Sequence, residues 1–341
     1  MTTQCGRVST RRGHTVAVPA PQRGDFGVRL GSRMLASPPA WRRTQRFVVR
    51  PVGCEVQCEV MEAQRIPKFS RTPVDEVHLH RAPLAKVLMQ VQYSRTPQLV
   101  TDSAEALIAE TLGRYPVRRR QVTAGVVPNV MINGQQLQLP GSITPGVALA
   151  FSDPKGLWKV TFTETAVALE TNDYGTRDDF CGRSAEIFAA IASVALPPVV
   201  DRVGIRYIDR LTGATVEKVP TYVIPELATL VARVEPPLWL QHSIVESQIE
   251  IGTDERMLVR SGLLPAGGAF DPALPPVSEP SWVLDMDVFT TQAGFAFEPD
   301  ELSQRLRRYA ETVYAFFRFA TTEAFQDAHR GEPAPIAGEM R

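Results

Sequence analysis

Hydrophobic and polar positions alternate with period two at Ala85, Val87, Met89, Val91 and Tyr93, interrupted by Lys86, Gln90 and Gln92, with Leu88 the one exception. Such alternation marks a strand, Leu84–Tyr93, with one wet face. Beyond it the period lengthens. Ala104, Leu107, Ile108, Leu112 and Tyr115 make a helical stripe, which Asp102 opens as a cap with Glu105 three residues on. Pro116 closes it. Asn133-Gly134 signals a tight turn, and short strands are expected near Gln136–Leu139 and Val147–Phe151. Leu157–Phe162 and Ala166–Glu170 read as a hairpin. Thr176 with Asp179 caps a second helix, whose apolar side is Phe180, Ile187, Phe188, Ile191 and Val194.

The run 201–211 follows as a further strand, with Val203, Ile205 and Tyr207 on one side and Gly204 and Arg206 on the other. After Pro225 a related order recurs: a short helix Glu226–Val234, strands at Leu238–Val245, Ser247–Ile251, Arg256–Arg260 and Trp282–Phe289, then a long helix. That helix has Pro299 in its first turn and an apolar seam of Leu302, Leu306, Tyr309, Val313, Phe316 and Ala320. Phe317 and Phe319 fall off the seam, so a second covering surface is expected there. Helices among runs of hairpin strands predict an α+β fold with mostly antiparallel sheets and packed helices. The expected organisation is two similar lobes, 74–215 and 216–330, with a disordered tail at 331–341.

Residues 1–73 differ in texture. They hold twelve arginines and Lys68 against Asp25, Glu55, Glu59 and Glu62, an excess of nine positive charges in a chain of zero formal net charge. With scattered Pro and Gly and no sustained apolar period, the segment is predicted to be a disordered basic arm. Such an arm is the one part suited to nucleic acid. Met61 just before the periodic text offers another reading, in which residues 1–60 precede the true start. No apolar core of a signal peptide and no membrane-length run is visible, so a cytoplasmic protein is expected.

Candidate chemistry is sparse. The chain has no phosphate loop, dinucleotide fingerprint, zinc-protease pair or nucleophile elbow. Cys54 and Cys58 lack a second pair at zinc spacing, and Cys181 sits near a helix start without a nearby histidine in sequence. No cofactor or metal site is therefore expected. His78 and His80 share one side of the chain but lack a third ligand, and His242 reads as a strand histidine. Asp285 and Asp287, at i and i+2 on a strand, face one side together. They suit either a cation or the arginines of the 201–211 strand, Arg202, Arg206 and Arg210. Arg206 lies on the face of Gly204, where absent side-chain volume lets a partner approach. It is either half of an inter-sheet ion pair or, with Tyr207, part of a binding face.

The Ala82-Pro83-Leu84 strand opening, the Arg-Val-Gly-Ile-Arg-Tyr strand and the aromatic final helix before Thr321-Thr322 together resemble a sporadically distributed family of uncharacterised bacterial proteins. The resemblance spans roughly residues 75–330. It implies bacterial origin and an α+β protein, and it brings no catalytic residue. Two positions depart from its pattern: Lys86 stands where an acid is usual, and Asp209 where asparagine is usual. The expected function is a non-enzymatic partner-binding or chaperone-like interaction module, with a protein partner or self-association and no membrane. The alternative is an enzyme or nucleic-acid-acting protein with its site around Arg206, Asp285 and Asp287.

Overall fold

The computed structural model describes residues 68–77, 79–123, 129–132, 135–138, 146–234, 236–269 and 271–331. The predicted alternation at the start becomes β1 (Leu84–Tyr93), whose Val87, Met89, Val91 and Tyr93 are buried. A 3-10 turn at Pro97–Val100 leads to α1 (Asp102–Thr111). Its cap is Thr101 rather than Asp102: the Thr101 hydroxyl accepts from the Ala104 amide at 3.2 Å. Asp102 instead adds a charge in the first turn, and its carboxylate meets Arg120 at 2.7 Å. Then come β2 (Val117–Thr123), β3 (Asn129–Ile132) and β4 (Gln135–Gln138). The pair β3–β4 is a hairpin in which Ile132 opposes Gln135, which leaves two residues for the turn. Those two, Asn133 and Gly134, lie outside the described residues.

The hairpin text delivers β5 (Gly146–Ser152), β6 (Trp158–Phe162) and β7 (Ala166–Thr171), followed by α2 (Arg177–Val194). As expected, Thr176 caps α2, accepting from the Asp179 amide at 3.2 Å. The arginine strand is β8 (Val200–Thr212), the longest of the sheet. After it come the short helices α3 (Val219–Tyr222) and α4 (Pro225–Ala228), then a 3-10 turn over Thr229–Ala232 in place of the single predicted helix. Next are β9 (Ser243–Gly252), β10 (Glu255–Leu264) and β11 (Ser281–Thr290). The two strands expected between 238 and 251 are one, and it begins late. Leu238 and Trp239 precede it, exposed. His242 is likewise exposed and outside the strand. The long helix is α5 (Pro299–Ala320), and α6 (Glu323–Arg330) ends the described chain.

The sheet is antiparallel with nine strands in the order β2-β5-β6-β7-β1-β8-β11-β10-β9. The α+β reading therefore holds. The expected recurrence is only loose: β1 is followed by α1, six strands (four of them in this sheet) and α2, whereas β8 is followed by short helices, three strands and α5. The two halves do not separate into lobes. β1 and β8 pair antiparallel along their length, Met89 opposite Ile205 and Val87 opposite Tyr207, so residue 215 divides nothing in the sheet. One apolar cluster runs through both halves, from Val160 and Ile187 to Met257 and Leu306. Antiparallel β1 and β8 share this seam because both carry apolar residues at every second position, which buries one common face.

That face is covered by α2 and α5, joined at their edge by Arg307 to Asp178 at 2.6 Å. All six residues of the predicted α5 seam are buried, and Phe317 is covered by Phe325 of α6, ring centroids 5.5 Å apart. The boundary at residue 73 also moves. Phe69 meets Phe316 edge-on at 5.1 Å, and Arg71 donates to the Ile251 carbonyl, so the packed body begins before Val74. The opposite face of the sheet has a smaller cluster of Ile208, Val283, Leu264 and Leu274, flanked by charge.

Candidate binding site

Strand alternation sends the arginines and aspartates to the second face. On β8 and β11 the even-numbered Arg202, Gly204 and Arg206 share it with Asp285 and Asp287. Arg206 grips Asp285 with two hydrogen bonds, Nε to Oδ1 and Nη2 to Oδ2, both 2.7 Å. It reaches Asp271 at 2.9 Å as well. Burial alone would lower the Arg206 pKa, but the bonds and charges of Asp285 and Asp271 outweigh it and raise the value. Asp287 pairs with Arg202 at 2.9 Å. There burial is the larger influence and lifts the carboxyl pKa against the pull of Arg202 and Arg206. Arg210 does not join them, donating instead to the Pro275 carbonyl at 2.7 Å.

The space left by Gly204 is filled from within. An added Cβ would lie 2.9 Å from Arg202 Nη1 and 3.1 Å from the Phe289 Cβ, and the Arg202 guanidinium stacks 4.5 Å above the Phe289 ring. Of the two readings of Arg206, an ion pair is the one formed, though it joins neighbouring strands of a single sheet rather than two sheets. The arginine strand and the aspartate pair satisfy one another, which leaves this face little capacity for an outside ligand.

Tyr207 faces the other way and belongs to a cavity of about 210 Å³ on the helical side. Its floor is Tyr207 and Asp209 of β8 with Met286 of β11. One wall is α5, through Ala310, Val313, Tyr314 and Phe317; another is Tyr174, Gly175 and Arg177 at the entry to α2. The third is the segment before β1, with Glu76, Val77, Leu79, His80, Ala82 and Leu84. That segment is pinned in place. The Val77 amide donates to the Tyr314 hydroxyl at 2.6 Å, and the His80 and Arg81 amides donate to the carbonyls of Arg330 and His329 in α6.

Within the cavity the polar groups fall into two kinds. Some are paired: Arg177 meets Glu76 at 3.2 Å, and the Tyr174 and Tyr207 hydroxyls lie 3.3 Å apart. Burial raises both tyrosine pKa values, so both stay phenolic. Asp209 is different. Its residue is 5% exposed, and its carboxylate makes no hydrogen bond or ion pair among the described residues. Burial alone pushes its pKa up to about 7. The Arg177 Nε is also buried without a hydrogen-bond partner. An unpartnered carboxyl beneath a cavity is rare in a folded chain, because each such group costs free energy that a ligand or water recovers.

Sequence reasoning grouped Tyr207 with Arg206, Asp285 and Asp287, whereas Tyr207 lies on the helical face of the sheet and the other three on the opposite face. Asp209 it saw only as a charged flank and a departure from a family pattern. The signal was available: Asp209 is in phase with Val203, Ile205 and Tyr207, hence on the apolar face. The other candidates stay quiet. Cys181 is buried, and burial lifts its thiol to about 11 despite Arg307 and Arg177, so it is an ordinary packed cysteine. His80 lines the cavity, while His78, Cys54 and Cys58 lie outside the described residues. Among the described residues no cluster of His, Cys, Asp or Glu is arranged to hold a metal, and no helix is long and apolar enough to cross a membrane.

Comparison with protein-family models, curated proteins and solved structures finds no match in any of the three.

Proposed function

We propose that this chain is a non-enzymatic binding module that receives a ligand, or a group projecting from a partner protein, in the cavity above Tyr207 and Asp209. The observation that carries this reading is the unpartnered, buried carboxyl of Asp209 at the base of an otherwise mostly apolar chamber. Binding sites take this form, an apolar wall with a few placed polar groups. The volume of about 210 Å³ bounds the occupant. It exceeds the roughly 150 Å³ that admits benzene and falls short of the roughly 300–1,000 Å³ of drug-sized sites. An occupant the size of one amino-acid side chain fits.

The alternative centred on Arg206, Asp285 and Asp287 loses its support, since those groups are bound to each other or to Asp271 and Arg202. The motifs around Ala82–Leu84 and Arg202–Tyr207 support placing the protein with the sporadic bacterial family they resemble, as a cytoplasmic protein. On this reading the aromatic helix serves by walling the cavity through Tyr314 and Phe317.

The test is an NMR fragment screen on the full chain, using side-chain-sized molecules of positive, neutral and negative charge. Bound molecules should perturb Tyr207, Val313 and Phe317, and Val313→Phe, which adds a ring inside the cavity, should abolish binding with the fold intact. A screen in which nothing maps to the cavity overturns the reading. Turnover of a bound molecule would return the protein to the enzymes.

A further inference from the structure

The charges lining the cavity do not balance. Glu76 and Arg177 offset each other at 3.2 Å, which leaves Asp209, when ionised, as an excess negative charge with no ion pair among the described residues. Arg210, its neighbour in sequence, points to the opposite face and donates to Pro275. Lys86, the nearest lysine along β1, is held at 3.0 Å by Glu170, also away from the cavity. No lysine or arginine of the described chain therefore pairs with Asp209, and besides Arg177 the one other side chain lining the cavity that can carry a positive charge is the His80 imidazole.

The walls supply the rest of the chemistry. Tyr174, Tyr207 and Tyr314 give aromatic carbon, and the π-electrons of such rings attract cations. Leu79, Val313 and Met286 give aliphatic surface for a stem. An anion would meet the carboxylate of Asp209 head-on, and a neutral ligand could hydrogen-bond it but would leave its charge uncompensated. A buried carboxyl without a partner is stabilised most by an opposite charge within hydrogen-bond reach.

We infer that the cavity binds an organic monocation, an aliphatic stem ending in an ammonium or guanidinium, with Asp209 as its counter-ion. This rests on the binding-module reading and names the ligand class for the same site. Two sources share the chemistry: a free small amine, or a lysine or arginine side chain of a partner protein.

The experiment titrates the full chain with three probes of matched size, n-butylammonium, 1-pentanol and pentanoate, followed by NMR shifts of the cavity residues. At about pH 8.5 the ammonium is charged, its ordinary pKa being near 10.4, and so is the carboxyl. Butylammonium should bind at least tenfold more tightly than the alcohol, with pentanoate weakest. Asp209→Asn should reduce that affinity at least tenfold and leave pentanol unchanged. The substitution removes a charge that has no partner, so the variant is expected to fold. Nα-acetyl-lysine methylamide separates the sources: tighter binding than butylammonium indicates a protein side chain, and exclusion indicates a free amine.

Equal binding of pentanol, or undiminished binding of butylammonium to Asp209→Asn, overturns the cation while leaving the cavity a binding site. Silence from all three probes overturns both readings.

Discussion

Arg206 and Asp285 meet diagonally across the β8–β11 ladder, each supplying two atoms to a bidentate pair at 2.7 Å, while the residue directly opposite Arg206 is Asp287. The diagonal arises because Arg202 takes Asp287 from the side, which leaves Arg206 free to lean towards Asp285 and Asp271. The Asp285 side chain is 2% exposed and that of Arg206 11%. Deleting Arg206 leaves the buried Asp285 carboxylate with only the longer 3.4 Å contact to Arg260, and breaking such a buried pair costs roughly 3–5 kcal/mol. Arg206→Ala should therefore lose stability in that range by chemical denaturation. A double-mutant cycle should show strong coupling with Asp285 and weak coupling with Asp287. Additivity with Asp285 would refute the assignment.

Asp209 should set a pH dependence of stability. Its folded value lies near 7, against an ordinary 3.8, because burial disfavours the charged form. Below about pH 4 both folded and unfolded chains hold the proton, and the group contributes nothing. Between there and about pH 7 the unfolded chain releases the proton while the folded chain keeps it, so stability falls as pH rises. Each pH unit of that interval is worth about 1.4 kcal/mol, which makes the full penalty about 4 kcal/mol. Asp209→Asn should match the parent near pH 4 and melt higher than it at pH 8. Identical profiles would mean that the carboxyl is solvated.

Phe316 stands on the predicted seam, is 4% exposed, and meets Phe69 edge-on. Phe316→Ala should cost roughly 3–5 kcal/mol by denaturation. Phe69→Ala should cost less, since Phe69 is only partly buried, and the two should couple because the rings touch.

The same contact revises where the chain can be cut. A variant beginning at Lys68 should keep the parent melting temperature. One beginning at Val74 should melt several degrees lower, having lost Phe69 and the Arg71 bonds to Ile251, Glu255 and Thr312. Equal midpoints would restore the boundary at 73.

Gly262 in β10 adopts a φ of +154°, and a Cβ there would fall 1.8 Å from the Ser243 carbonyl oxygen of β9. Strain of this backbone class costs about 1–3 kcal/mol before any clash. Gly262→Ala should lose more than that and loosen the β9 edge, seen as faster amide exchange from Ile244 to Gln248. A neutral substitution would show that β9 can shift freely.

The elements were legible wherever one period dominated: β1, the β6–β7 hairpin, α2 and α5 all follow from alternation or a helical stripe. β2 was missed because Arg118, Arg119 and Arg120 stand in a row, and its place at the sheet edge makes no demand for alternation. The late start of β9 reflects the Pro236-Pro237 pair, after which the backbone resumes pairing only at Ser243. The Arg206–Asp285 pair was readable from parity on two strands. The cavity was not, because it needs residues 76–84, 174–177, 207–209 and 310–317 side by side, and local pattern carries no record of such distances.

The antiparallel seam between β1 and β8 has a consequence for how the protein is made. During synthesis β1 emerges early, but both of its neighbours arrive later, β7 first and β8 after a whole helix. At roughly 5–20 residues per second, the nascent first half presents the bare edge of β1 for on the order of seconds. Until β8 closes it, that apolar strand is a template for any other extended chain nearby, including another nascent copy.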